Sequence, residues 1–188
     1  MKRIAPALVA LLAACSSAPT PPDWQLNASE ALRLYQQYYL AGDTRASVEF
    51  ARGRAELART GREDLVARAE LIQCAARTAS LEFDDCPGFE ALRAGAGAEE
   101  IAYADYLAGR GSRAATDDPL SRLVAAGVQL RKGAATPAQM EQAAEIASAQ
   151  GWRRPLLAWL GVLEKRASNA GDGDTAARLR RRMDLISK

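Results

Sequence analysis

The chain is punctuated by glycines that follow segments with apolar residues at helical spacing, and this pattern constrains the fold most. Ala46, Phe50, Gly53 and Leu57 form one such stripe, with a residue on the same helix face every three or four positions. No window shows the sustained alternation of β-branched and polar residues that a strand needs. The sequence therefore predicts an all-α protein of about seven or eight helices. The glycines that end the segments are Gly42, Gly61, Gly109, Gly111, Gly133 and Gly151.

Capping residues mark where these helices begin. Asn27 and Glu30 have capping-box spacing, which predicts a first helix over 28–41. Asp118 and Thr136 each precede a proline at the first helical position and predict helices over 119–132 and 137–150. Asp174 is predicted to cap the last helix, which ends at 186. The other helices are predicted after Asp43 or Thr44 and over 63–80, 89–94, 99–107 and 154–169.

Loops of roughly two to six residues between these helices predict antiparallel helix pairs. Ala46, Phe50 and Gly53 have the small, aromatic, small order found in the second helix of a tetratricopeptide repeat, and the chain resembles that family there. The resemblance implies an α-solenoid that offers a groove to a partner. An irregular helical bundle is the alternative, because helical hairpins with glycine turns occur in both architectures.

The first residues of the chain predict where the protein is located in the cell. Lys2 and Arg3 precede an apolar run from Ile4 to Leu12, which is too short to span a membrane and is typical of a secretory signal. The stretch Leu12-Ala13-Ala14-Cys15 resembles the lipobox of bacterial lipoproteins. That resemblance implies cleavage before Cys15, acylation of its thiol and, with Ser16 next to it, delivery to the outer membrane. The alternative is an ordinary secreted protein in which Cys15 is a free thiol.

Three segments follow from this interpretation. Residues 1–14 are a lipoprotein signal peptide, residues 15–23 are the acylated cysteine and a proline- and serine-rich tether, and residues 24–188 are a single all-α domain. Lys2 and Arg3 also account for the net charge of +2, since the other 23 basic residues equal the 23 acidic ones. The predicted domain is neutral, which does not favour nucleic acid as a partner.

The remaining cysteines, Cys74 and Cys86, are predicted to form a disulfide in the oxidising periplasm. A redox-active or metal-binding pair is the alternative, but their spacing is not that of a C-x-x-C motif. We predict no metal and no cofactor.

The chain contains no histidine, which excludes Ser-His-Asp and Cys-His catalysis and histidine-ligated metal sites. The acid pairs are interpreted as helix caps or solvated loop residues rather than as a glycosidase pair. We therefore predict no catalytic residue. These pairs are Asp84/Asp85, Glu99/Glu100 and Asp117/Asp118.

Two features indicate partner binding. Helical spacing places Tyr35 and Tyr38 on a buried face and predicts that Tyr39 is exposed as an aromatic anchor. Arg178 and Arg181, in an arginine-rich last helix, are predicted to dock on an acidic partner or anionic lipid. The alternative is a solvated helix end whose cations compensate the helix dipole.

The sequence thus predicts a lipid-anchored, periplasm-facing scaffold that binds envelope proteins and assists envelope assembly. This class resembles pilotins and assembly-factor lipoproteins. Two alternatives stay open: a carboxylate-dependent enzyme acting on peptidoglycan, and a carrier of a small ligand held between helices.

Replacing Cys15 with serine tests the predicted anchor. Serine has no thiol to acylate, so the variant should carry no acyl label and should leave the membrane fraction. The measurement is metabolic labelling with a fatty acid, followed by fractionation. Acyl label retained on Cys15→Ser would contradict the lipobox interpretation.

Overall fold

The structure, a computed structural model, describes residues 20–187. The signal peptide, the lipobox and Cys15 lie outside the described residues. Within them the chain forms nine α-helices and no strand, which confirms the all-α prediction. The helices are α1 (Asp23–Ala41), α2 (Ala46–Ala58), α3 (Glu63–Ala79), α4 (Pro87–Glu90), α5 (Ala98–Leu107), α6 (Pro119–Arg131), α7 (Pro137–Ala149), α8 (Arg153–Asn169) and α9 (Gly173–Ser187), with a 3₁₀ turn at Arg93–Gly95.

Two of the predicted helix caps are present. The Asp118 carboxylate accepts a hydrogen bond of 2.8 Å from the Ser121 amide at the start of α6. At the start of α7, the Thr136 hydroxyl accepts from the Gln139 amide, and the Gln139 side chain accepts from the Thr136 amide at 2.8 Å. Both arrangements satisfy amides that have no partner within the helix.

Three predicted helix caps are wrong. The N-cap position of α2 is Arg45, so neither Asp43 nor Thr44 caps that helix. α1 begins at Asp23, so Asn27 and Glu30 lie inside the helix instead of capping it. Pro22 supplies the extended residue before it, and Trp24, in the first turn, packs against the core. At α9 the capping carboxylate is that of Asp172, which accepts from the Thr175 amide at 3.0 Å, while Asp174 lies within the first turn.

Helix α3 lies between two hydrophobic cores. The N-terminal core joins α1, α2 and one side of α3, and Tyr35, Phe50, Leu57 and Val66 are among its buried residues. The C-terminal core joins the other side of α3 to α5, α6, α7 and α8. Helix α3 can be covered on several sides because most of its buried residues are small. Its buried alanines are Ala67, Ala69, Ala75, Ala76 and Ala79.

Trp159 of α8 is the largest fully buried side chain of the C-terminal core. Its indole Nε1 donates a hydrogen bond of 3.1 Å to the carbonyl oxygen of Ala79, at the end of α3. One side chain therefore fills the core and satisfies a carbonyl that the end of the helix leaves unpaired.

Helices that are far apart in the sequence pack against each other. α1 contacts α8, and α3 contacts α6. Arg154 of α8 also donates from Nε to the Tyr39 carbonyl at the end of α1, at 3.0 Å. In a solenoid each repeat contacts only its neighbours. The contacts between helices distant in the sequence favour an irregular bundle. The tetratricopeptide resemblance stays a prediction that rests on the local spacing in α2.

Cys74 of α3 and Cys86 are joined by a disulfide, with their Cα atoms 5.6 Å apart. The loop that contains Cys86 turns back onto α3, and the Asp84 carboxylate accepts from the Cys86 amide at 3.0 Å. Glu70 of α3 is buried beside Gly88 of α4 and pairs with Arg54 of α2 at 2.6 Å. The disulfide and an ion pair of 2.7 Å between Arg77 of α3 and Asp84 of the loop fix the loop against α3.

Removing both cysteines should lower the free energy of unfolding by about 2 to 4 kcal/mol, because a crosslink restricts the unfolded chain. Chemical denaturation of a Cys74→Ala/Cys86→Ala variant measures this. If a thiol-specific reagent labels both residues in protein purified without reductant, the disulfide is not formed.

At Gly127 the backbones of α6 and α3 lie close together. A Cβ at this position would lie 2.4 Å from the Thr78 carbonyl oxygen of α3. Gly161 of α8 has no such neighbour within 4 Å. Both glycines are in helix interiors, so the two positions differ in their tertiary contacts.

Gly127→Ala should therefore lower the free energy of unfolding by about 1 to 3 kcal/mol through overpacking. Gly161→Ala is the matched control and should raise it by up to about 1 kcal/mol, since alanine favours the helix. Urea denaturation of the two variants tests the pair. Equal effects would contradict the close α3–α6 contact.

Candidate functional site

The first candidate site is a groove of about 430 Å³ between α3, α5 and α6. We call it the α5–α6 groove. Leu71, Ile72 and Ala75 of α3, Tyr103 of α5, and Leu120 and Val124 of α6 form its apolar walls. The polar and charged residues that line it are Gln36, Arg68, Glu99, Glu100, Arg113, Asp118 and Ser121.

The groove lies where the two cores meet. Leu71 and Ala75 belong to the C-terminal core, whereas Ile72 packs against the N-terminal core. Leu120 packs against both cores. The apolar walls are therefore continuous with the protein interior, and volume of this size is typical of ligand sites.

An ion pair between α3 and α5 fixes one edge of the groove. The Arg68 guanidinium donates from Nε to the Glu100 carboxylate at 2.6 Å. This hydrogen bond is the main reason that the pKa of Glu100 lies below its usual range. Glu100 is consequently ionised at neutral pH and holds Arg68 across the gap between the helices.

At the other edge, the Arg113 guanidinium lies 5.1 Å from the centroid of the Tyr103 ring. Burial, followed by the neighbouring Tyr106, raises the pKa of Tyr103 to about 12. The phenol therefore stays protonated at neutral pH. Arg113 lies in the loop between α5 and α6. A smaller cavity of about 190 Å³ lies beside this loop. The residues that line both this cavity and the groove are Tyr103, Arg113, Ser121 and Val124.

Three carboxylates line the groove: Glu99, Glu100 and Asp118. Sequence reasoning assigns them to caps, and Asp118 is a cap, while Glu100 is held by Arg68. A general acid for glycoside hydrolysis needs a carboxyl group whose pKa is raised, and the pKa of Glu100 is lowered. The shift of Glu100 is therefore opposite to the one that such a general acid needs.

A second cavity of about 400 Å³ lies between the end of α1, the start of α2, the end of α3 and the start of α8. We call it the tyrosine cleft. Its lining includes Tyr35, Tyr39, Arg77, Glu82 and Arg154. The Arg154 guanidinium pairs with the Glu82 carboxylate at 2.9 Å and lies 4.4 Å from the centroid of the Tyr39 ring.

The prediction that Tyr39 is an exposed anchor is wrong, because only 8% of its surface is exposed. Of the three tyrosines of α1, Tyr38 is the partly exposed one, although the spacing predicts it on the buried face. The buried stripe of α1 includes Ala31, Tyr35 and Tyr39, at intervals of four residues. Arg154 of α8 covers Tyr39, and this contact between helices distant in the sequence gives no local signal.

Arg178 and Arg181 are exposed on α9, as predicted, and they line neither cavity. Their neighbours Arg180 and Arg182 form ion pairs with Glu164 of α8 and Glu145 of α7. Part of the arginine cluster therefore fastens α9 to the bundle. The docking role of Arg178 and Arg181 stays a prediction.

Cys74, Cys86 and Asp84 bring three possible metal ligands together. The disulfide removes both thiolates from this group, and the Arg77 guanidinium pairs with the Asp84 carboxylate at 2.7 Å. A cation here would meet a bonded sulfur pair and a neighbouring positive charge.

Sequence reasoning did not identify Tyr103, Arg113 or Leu120 as site residues. Tyr103 sits in a helix whose apolar pattern identifies a buried face, but not the gap beside it. Arg113 lies in a loop that carries no motif. Only the tertiary packing of α5 and α6 on α3 brings these residues together.

Comparisons of the chain with protein-family models, with curated proteins and with solved structures found no match. None of the helices within residues 20–187 combines the length and the apolar character needed to cross a membrane.

Proposed function

We propose that this protein is a lipid-anchored, periplasm-facing scaffold of the outer membrane that binds a segment of an envelope protein in the α5–α6 groove. The supporting observation is the groove itself, whose apolar walls are open to solvent between charged edges. A protein interface needs this combination of an apolar centre and a polar rim.

The occupant that the charges favour is a segment with apolar side chains and a lysine or arginine. The lining carries three carboxylates and two guanidiniums, one negative charge in excess. Arg68 is already neutralised by Glu100. Glu99 is exposed and forms no ion pair among the residues that the structure describes. A cationic side chain at this edge would find an unpaired carboxylate.

A carrier of a small ligand is a second candidate, favoured by the volume of the groove, which lies within the range of small-molecule sites. The peptidoglycan enzyme is favoured by one observation, the presence of three acids in one groove. It is weakened by the ion pair and the lowered pKa of Glu100.

Reversing the charge of Glu99 tests the proposed groove. Glu99→Arg should reduce recovery of a crosslinked envelope partner about tenfold or more, because a cationic segment would meet a like charge. Glu141→Arg on α7 is the matched control, since Glu141 is also exposed and lies outside the groove. The measurement is quantitative affinity recovery from crosslinked envelopes, with circular dichroism confirming that both variants are folded.

Equal recovery by the two variants would contradict binding in the groove. Glu99→Gln separates the enzyme from the scaffold, because it removes a charge while keeping the shape. The scaffold predicts a modest effect of this variant on the cellular phenotype. Complete loss of cellular function by a folded, anchored Glu99→Gln protein would favour the carboxylate enzyme.

A further inference from the structure

The α5–α6 groove and the smaller cavity beside it meet at side chains that line both. We call the smaller one, of about 190 Å³, the side cavity. The shared residues are Tyr103, Arg113, Ser121 and Val124. Movement of a shared side chain would therefore join the two spaces into one longer site.

Three of the four shared residues are held in place by their helices. Tyr103 belongs to α5, and Ser121 and Val124 belong to α6. Val124 is buried, and the Ser121 hydroxyl accepts a hydrogen bond of 3.1 Å from the Thr116 amide. These side chains are fixed parts of the wall between the groove and the side cavity.

Arg113 is the exception, because it is exposed and lies in the loop between α5 and α6. Its guanidinium lies 5.1 Å from the centroid of the Tyr103 ring and forms no ion pair among the described residues. Arg110 of the same loop, by contrast, pairs with Asp105 at 2.7 Å. A cation–π contact at an exposed site is weak, so little free energy holds Arg113 against the ring.

The backbone around Arg113 is attached only at its two ends. The Arg110 amide donates to the Asp105 carbonyl at 2.8 Å, and the Thr116 amide donates to Ser121. Between them, residues 111–115 form no hydrogen bond with the part of the chain that the structure describes. Segments with so few attachments open at a low cost in free energy.

From this geometry we infer that Arg113 is a gate between the α5–α6 groove and the side cavity. The gate is closed while the guanidinium lies over Tyr103. When the loop carries Arg113 away, the groove extends along α5 to Tyr106, whose ring stacks on that of Tyr103 with centroids 6.0 Å apart. The inference deepens the proposed function and rests on it for the occupant, since the extension would hold a further apolar side chain of the bound segment.

The reaction rate of a cysteine placed behind the gate tests this inference without any partner. Val124 lines both cavities and is only 3% exposed, so a thiol in Val124→Cys should react slowly with N-ethylmaleimide. Adding Arg113→Gln keeps most of the side-chain length but removes the cation. The rate in the purified full-length protein should then rise about fivefold or more, and the protein without Val124→Cys gives the background rate.

Arg122→Gln is the matched control, because Arg122 is exposed on α6 and lines neither cavity, and it should leave the rate unchanged. Ser121→Cys, which is partly buried and also lines both cavities, repeats the measurement without altering the core. Equal rates with Arg113→Gln and Arg122→Gln at both cysteine positions would overturn the inference, because Arg113 would then act through its bulk alone or would not cover the wall.

The gate and the proposed function can fail separately. Labelling rates that do not respond to Arg113→Gln would overturn the gate, whatever the recovery of an envelope partner. Equal partner recovery by Glu99→Arg and Glu141→Arg would overturn binding in the groove, whereas faster labelling with Arg113→Gln would still support the gate.

Discussion

The rest of the structure depends on one helix, α3, which both cores share. Ten of its 17 residues are buried, and five of these are alanines, so neighbouring helices approach it closely from several directions. The α6 backbone approaches it at Gly127, and Trp159 of α8 covers its last turn. Because α3 supplies part of each core, replacing one of its buried alanines with a larger residue should disturb the packing of both cores.

Both cavities follow from this arrangement. Helices packed on different sides of α3 leave gaps where their own contacts end. The first gap, lined by Leu71 and Ile72 of α3, is the α5–α6 groove. The second, lined by Arg77 near the end of α3, is the tyrosine cleft. The first has apolar walls between charged edges, whereas the lining of the second contains two arginines and two acidic residues.

Much of the fold could be predicted from the sequence, because local signals set most helix bounds. Thr136 and Asp118 cap helices where the sequence predicts, and Ala46, Phe50, Gly53 and Leu57 form the buried stripe of α2. Local signals failed where distant contacts decide the outcome. Arg154 of α8 covers Tyr39. Gly127 and Gly161 both lie inside predicted helices, but only Gly127 lies against the Thr78 backbone. Only the tertiary packing of α5 and α6 creates the groove.

The central claim, that a partner occupies the α5–α6 groove, is tested most directly by site-specific photocrosslinking in living cells. A photoreactive amino acid at Ser121, which lines the groove, should capture an envelope protein as a discrete adduct. The same amino acid at Val48, an exposed residue of α2 outside both cavities, should capture none. Equal capture at both positions, or capture at Val48 alone, would contradict the account.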